Sequence, residues 1–169
     1  MADDEELEAL RKAVLNEPRN GELRYLLAAE MAERKDFDGA VLEFSAAIAL
    51  NPYLHVARLQ LGLLHLTLAQ PQHTLAVLAP LEALDESSAL KHFKWALEAL
   101  IADDFGACTT HLKRGIELNL ENQPLNRDMS LLLQRVTAAL QEQSSKVQPQ
   151  VEGEEAVRTD FSLYGVTKH

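Results

Sequence analysis

A period of 34 residues constrains the fold of this chain more than any other feature of its sequence. The segment ALNP ends at Pro52, an earlier NEP ends at Pro18, and a later ELNL ends at Leu120, which places them at offsets of 34 and 68 residues. In the same alignment Phe37 falls opposite Phe105. Periods of this length are typical of repeat proteins, in which each unit buries its apolar face by stacking on its neighbours.

Each period is predicted to be a pair of helices. Apolar residues recur at intervals of three and four on both sides of a short polar turn, such as residues 34–36. Aromatic residues make up only 5% of the chain, and most apolar positions are Leu or Ala, which favours helix packing over sheet. The sequence therefore predicts an all-α chain of helical hairpins.

The repeats resemble those of the tetratricopeptide family, which run small residue, aromatic, turn, Ala, aromatic, Ala and Pro. The first period supplies, in those places, Ala28, Met31, Ala40, Phe44, Ala47 and Pro52. The second and third periods follow the pattern less closely. The resemblance implies a tetratricopeptide-type α-solenoid, in which the first helices of successive repeats line a concave groove that binds another polypeptide.

The domain organisation follows from the repeat register and from a change of composition near residue 143. The predicted parts are repeats at about 19–52, 53–86 and 87–120, capping helices at 3–15 and 126–143, and a linker with a tail at 144–169. Residues 1–143 would form one tetratricopeptide domain. Pro80 should kink or split the second helix of the second repeat, because proline lacks the N–H donor and clashes with the preceding turn.

The groove that the resemblance implies is almost wholly apolar in this chain. Its predicted residues are Tyr25, Leu26, Ala29, Val56, Leu59, Gln60, Leu63, Phe93, Lys94 and Leu97. Tyr25 and Ala29 stand where some family members have the Lys and Asn that grip a C-terminal carboxylate, so a hydrophobic helix or an extended segment is the better ligand. A competing interpretation is that several of the leucines pack between helices and fill the groove from within.

The C-terminal segment FSLYGV places a cluster of large apolar side chains after the predicted flexible linker. They are Phe161, Leu163, Tyr164 and Val166. Three interpretations stay open: docking into the groove of the same chain or of a neighbouring copy, recognition of the segment by another protein, or no role. Docking into a neighbouring copy would produce a homo-oligomer.

Charge and cysteine content limit the classes of partner and the compartment. The formal net charge is -10, without a local stripe of Lys and Arg, which disfavours nucleic acid. There is one cysteine, and the N-terminus begins with acids where a secretory signal would have bases, so we expect a reducing cytoplasm. The longest apolar runs are far below the roughly 20 residues that span a bilayer, so a membrane partner is not expected.

No catalytic, metal or cofactor site emerges from the sequence. The six histidines lack the close pairs and nearby cysteines of a tetrahedral zinc site. Cys108 occupies a position where the family prefers Ala, so we expect a buried small residue rather than a nucleophile. The sequence therefore predicts no enzyme activity, no cofactor and no bound metal.

The leading hypothesis is a cytoplasmic, non-catalytic adaptor or chaperone that shelters an apolar peptide or helix of a partner protein. Its size, acidity and three repeats are similar in architecture to the translocator chaperones of type III secretion. The alternative is a scaffold subunit of a larger assembly, which engages its partner through the FSLYGV tail.

Overall fold

A computed structural model describes residues 2–147 of the chain, with side chains from Asp4 onward. This part consists of helices and short connections and contains no strand. The helices are α1 (Ala2–Asn16), α2 (Gly21–Glu33), α3 (Phe37–Leu50), α4 (His55–Thr67), α5 (Pro71–Leu78), α6 (Ala89–Ile101), α7 (Phe105–Leu118) and α8 (Gln123–Lys146), with a 3₁₀ helix at Ala79–Ala83 between α5 and α6. The pairs α2–α3, α4–α5 and α6–α7 are the three hairpins.

The 34-residue period appears directly in the turns of the three hairpins. Lys35, Ala69 and Asp103 are the non-glycine residues with positive φ in the described chain, at 64°, 57° and 58°. Each ends the first helix of its hairpin in the left-handed conformation, with the next residue's N–H bonded back to the carbonyl five residues earlier. These bonds are Asp36 N to Met31 O, Gln70 N to His65 O and Asp104 N to Ala99 O, at 2.9, 2.8 and 2.9 Å.

The starts of the helices also show why the chain folds in this register. Asn20, Asp36, Asp104 and Asn122 each precede a helix and accept a hydrogen bond from a backbone N–H of its first turn, at 3.0–3.2 Å. Such caps satisfy donors that a helix leaves unpaired at its start. Of the two adjacent acids before α7, Asp104 is the cap and Asp103 is the left-handed residue of the turn.

The chain divides into two compact units, Met1–Pro80 and Leu81–His169. In the first unit α2 packs on α3, flanked by α1 and α4. Ala28, Ala40 and Ala47 are fully buried, so the two backbones approach closely, and the Phe44 ring fills the space between them.

Pro80 interrupts the second helix of the second repeat, as predicted. The α-helical hydrogen bonding of α5 ends at Leu78, and the chain continues as the 3₁₀ helix. The border between the two units also falls at Pro80. That the repeats form one domain over 1–143 stays a prediction.

In the second unit α6 packs on α7, and α8 covers α7. One face of α8 is buried at helical spacing, through Leu125, Met129, Leu132 and Val136. It therefore closes the apolar end of the last hairpin. Helix α8 continues to Lys146, past residue 144, at which the composition predicted the linker to begin.

Candidate protein-interaction face

Burial separates the ten predicted groove residues into two sets of five. Leu59, Leu63, Phe93, Lys94 and Leu97 are at most 5% exposed. Tyr25, Leu26, Ala29, Val56 and Gln60 keep part or much of their surface exposed. The first set is enclosed by the protein, so the prediction that these residues face an open groove is wrong.

Helix α4 is largely enclosed because most of its residues are apolar, although Val56 and Gln60 keep part of their surface exposed. Its buried residues include the uninterrupted run from Leu61 to His65, which at 100° per residue covers the whole circumference of the helix. Leu59 and Leu63 are therefore part of the core, at 0% and 3% exposure. For them the competing interpretation, that leucines fill the groove from within, agrees with the structure.

Phe93 is buried because its ring lies on its own hairpin partner, α7. A Cβ added at Gly115 would lie 2.4 Å from Phe93 Cε1 and 2.5 Å from Cδ1, so the ring occupies the space that any other residue at 115 would need. Leu97, one turn further along α6, is fully buried as well. This face of α6 packs inward and offers no ligand surface.

Lys94 is enclosed by a network of ion pairs. Its Nζ lies 2.7 Å from Glu82 Oε2 and 2.7 Å from Glu98 Oε1. Trp95 Nε1 donates to the same Glu82 oxygen at 3.0 Å, and Lys91 Nζ lies 3.7 Å from Glu82 Oε1. The network ties the 3₁₀ helix to α6, so the role of Lys94 is structural rather than ligand binding.

The Lys94 network leads to a prediction on stability. Changing Glu82 and Glu98 together to Gln should lower the melting temperature by several degrees, because it leaves a buried ammonium without a carboxylate. Lys94→Met should leave it unchanged or raise it, because an apolar side chain of similar volume leaves no unpaired buried charge. Thermal melts followed by circular dichroism at pH 7 check both, and an equal loss in the two variants would contradict the assignment.

The Lys94 network should also make the stability of the protein depend on pH in the alkaline range. Burial by itself would lower the pKa of Lys94, but the hydrogen bonds that its ammonium donates to Glu82 and Glu98 outweigh this effect and raise the pKa above its ordinary 10.5. The stabilisation is therefore complete below pH 10.5 and is lost as the pH rises through the pKa of the folded state. Lys94→Met should flatten this part of the stability profile.

The five residues of the second set form what we call the α2–α4 face: Tyr25, Leu26 and Ala29 on α2 with Val56 and Gln60 on α4. Tyr25 and Ala29 lie one turn apart, as do Val56 and Gln60, and α2 touches α4 directly. Leu26 is 46% exposed. The face is apolar, within the first unit, and open.

The polar groups of the α2–α4 face are Tyr25 and Gln60. Burial of the hydroxyl and the nearby Glu22 carboxylate raise the pKa of Tyr25, while a hydrogen bond with the Gln60 side chain acts in the opposite direction. The Tyr25 ring rests on Phe44, with the ring centroids 6.2 Å apart. Gln60 Oε1 is enclosed and has no hydrogen-bond partner. An unpaired buried acceptor of this kind costs about 1–3 kcal/mol.

The sequence reasoning missed two pairs of histidines. His92 and His111 face each other across α6 and α7, with 3.3 Å between their Nδ1 atoms, and the Trp95 ring lies 5.3 Å from both imidazoles. Burial and the neighbouring His92 lower the pKa of His111. In the first unit His65 and His73 stack with centroids 5.2 Å apart.

A periodic signal for the His92–His111 pair was present in the sequence. Arg24 and Glu43, which are 68 residues earlier, form the corresponding ion pair of the first repeat at 2.7 Å. Arg24 also donates to the carbonyl of Pro18, six residues before it, and His92 contacts the carbonyl of Glu86 in the same way. The repeat register therefore predicts contact between positions 92 and 111.

Other predicted site features are absent or cannot be placed. Burial, followed by the Asp104 charge, raises the pKa of Cys108 to about 12, so its thiol is protonated at neutral pH, as suits a buried small residue.

The predicted tail motif lies outside the described residues; it consists of Phe161, Leu163, Tyr164 and Val166. Between residues 2 and 147 no three His, Cys, Asp or Glu side chains are grouped to hold a metal. None of the helices in that range is both long and apolar enough to cross a membrane.

Comparison with known proteins supports the fold. No protein-family model matches the chain, and no curated protein matches it. Among solved structures it is similar to MamA 41-end from Desulfovibrio magneticus RS-1, a tetratricopeptide-repeat protein, with a TM-score of 0.56 and 17% sequence identity. The similarity covers 87% of this chain and 88% of that one. The likeness to type III secretion chaperones has no support in these comparisons. The chain has an all-α, tetratricopeptide-type α-solenoid fold.

Proposed function

We propose that this protein is a non-catalytic adaptor or chaperone of the cytoplasm that binds an apolar segment of a partner protein on the α2–α4 face. The observation that supports this most is the apolar surface that α2 leaves open. Leu26 is 46% exposed there, beside the partly exposed Tyr25, Ala29 and Val56. Open apolar surface on a folded protein commonly marks an interaction site.

Gln60 could form a hydrogen bond with the main chain of the ligand. Its Oε1 has no hydrogen-bond partner, so rotation of the amide toward a bound main chain would give that oxygen a donor. Ala29, in the middle of the face, leaves room for a ligand backbone to approach α2. The ligand is therefore a helix or an extended segment with apolar anchors, recognised by surface complementarity and one or two main-chain hydrogen bonds.

The test compares glutamate substitutions on the α2–α4 face with a glutamate substitution at an exposed leucine elsewhere. Leu26→Glu combined with Val56→Glu should weaken partner capture at least tenfold, because a carboxylate buried against an apolar ligand is costly unless paired. Leu42→Glu, at a leucine on α3 that is 70% exposed, is the matched control and should bind normally. Quantitative mass spectrometry of proteins captured from the source cell measures the effect.

Two results would count against the α2–α4 face. One is unchanged capture by the Leu26→Glu, Val56→Glu variant. The other is loss of capture when residues 148–169 are removed from the otherwise intact chain. The second result would favour the scaffold function, in which the FSLYGV tail, Phe161 to Val166, engages the partner or a neighbouring copy.

A further inference from the structure

The His92–His111 pair has a geometry that a simple packing role does not require. The ring of His92 is oriented by the main chain, because its Nε2 lies 2.9 Å from the carbonyl oxygen of Glu86. A carbonyl only accepts hydrogen bonds, so Nε2 carries the hydrogen and the Nδ1 of neutral His92 presents a lone pair. Nδ1 of His111 lies 3.3 Å from this nitrogen.

Two imidazole nitrogens 3.3 Å apart repel each other unless a hydrogen atom or a cation lies between them. The corresponding pair of the first repeat, Arg24 with Glu43, supplies opposite charges by itself. In the third repeat both partners are nitrogen ligands, so either an N–H hydrogen or a cation must lie between them. Two nitrogens that bind one tetrahedral Zn²⁺ at about 2.0–2.1 Å are separated by about 3.3 Å. The observed separation fits a shared metal ion.

The surroundings of the pair also resemble those of a metal ligand. A histidine that binds a metal through one ring nitrogen commonly donates its other N–H to a carbonyl, which fixes the tautomer and the ring orientation. The Glu86 carbonyl does this for His92. Both imidazoles are partly exposed, so an ion can reach them from solvent.

We propose that His92 and His111 together bind one divalent transition-metal ion, Zn²⁺ by geometry, through their Nδ1 atoms. The protein supplies these two ligands, and water or a side chain of a partner occupies the other two positions. The His65–His73 pair lacks this property, because its rings are stacked with 5.2 Å between centroids and 27° between planes, so the nitrogen lone pairs, which lie in the ring planes, do not converge on one point. His73 is therefore a suitable control.

Trp95 provides a direct readout of binding. It is the only tryptophan of the chain, and its ring lies 5.3 Å from both imidazoles. The full chain, without an affinity tag and treated with chelator, is titrated with Co²⁺, which quenches nearby indole fluorescence. We expect saturable quenching at one ion per chain, and recovery of the fluorescence when Zn²⁺ displaces Co²⁺.

Substitution of each ligand tests the assignment. His92→Gln and His111→Gln should each raise the Kd for Co²⁺ at least tenfold, and His73→Gln should change it less than twofold. Circular dichroism shows that each variant is folded before titration. The proposal is overturned if the wild-type protein shows no saturable quenching up to millimolar Co²⁺, because a hydrogen then bridges the pair, or if His73→Gln weakens binding as much as His111→Gln does.

Discussion

Replacing Phe93 with alanine is expected to lower the free energy of unfolding by about 3–5 kcal/mol, one of the two largest effects that we predict. The ring is fully buried and lies against Gly115 of α7. Its removal deletes apolar contacts and leaves a cavity that a helical hairpin can close only in part. Urea denaturation followed by circular dichroism measures the loss.

Gly115 provides an independent test of the same contact. Gly115→Ala should cost about 1–3 kcal/mol, because the added Cβ falls within 2.5 Å of the Phe93 ring and forces α6 and α7 apart. Phe93→Leu in the Gly115→Ala background should cost less than the sum of the two single changes, because the smaller side chain relieves the overlap. Additive losses would mean that the two residues do not touch.

The period and the turn chemistry made the hairpins predictable from the sequence. Each hairpin turn places one residue in the left-handed conformation at the same position of the repeat, and these residues are Lys35, Ala69 and Asp103. The left-handed conformation is sterically unfavourable for Lys and Ala, so the recurrence of the turn follows from the period of the repeat rather than from the residue at that position. The interruption at Pro80 was predictable because proline lacks the N–H donor that an α-helix needs.

Half of the groove was predicted wrongly because a repeat position does not determine which side of a helix is exposed. The family register assigns Leu59 and Leu63 to the ligand surface, but both belong to the buried part of α4, together with the run from Leu61 to His65, while Val56 and Gln60 keep exposed surface. The burial of Phe93 depends on Gly115, 22 positions later, because a residue without a side chain leaves space for the Phe93 ring against α7. Burial of this kind depends on which residue lies opposite, and a single helix pattern does not contain that information.

The histidines illustrate the converse case, in which the sequence contained a signal that a motif search overlooks. His92 and His111 are 19 residues apart, far outside the close spacings of zinc motifs, yet they match the Arg24–Glu43 pair of the first repeat. Contacts that cross a hairpin recur with the period of the repeat. Comparing charged and titratable residues between equivalent positions therefore finds pairs that local spacing cannot find.

Phe44→Ala is expected to produce the other large loss of stability, again about 3–5 kcal/mol. Phe44 is fully buried between α2 and α3, beside the buried small residues Ala40 and Ala47, so its ring fills most of the space between these helices. Leu42→Ala, two residues away on α3, is the matched control. Its side chain is 70% exposed, and the change should stay within about 0.5 kcal/mol, as is usual at the surface.

Substitutions of Phe44 should also affect the proposed binding face, because Phe44 contacts Tyr25. Tyr25 rests on the Phe44 ring at 6.2 Å between centroids, so a variant that keeps the fold but removes this support should bind the partner more weakly. Phe44→Leu keeps most of the volume and should retain most of both stability and partner capture. Urea denaturation and capture, measured well below the melting temperature, separate the two effects. Equal stability of Phe44→Ala and Leu42→Ala would show that the α2–α3 core is packed differently from the arrangement described above.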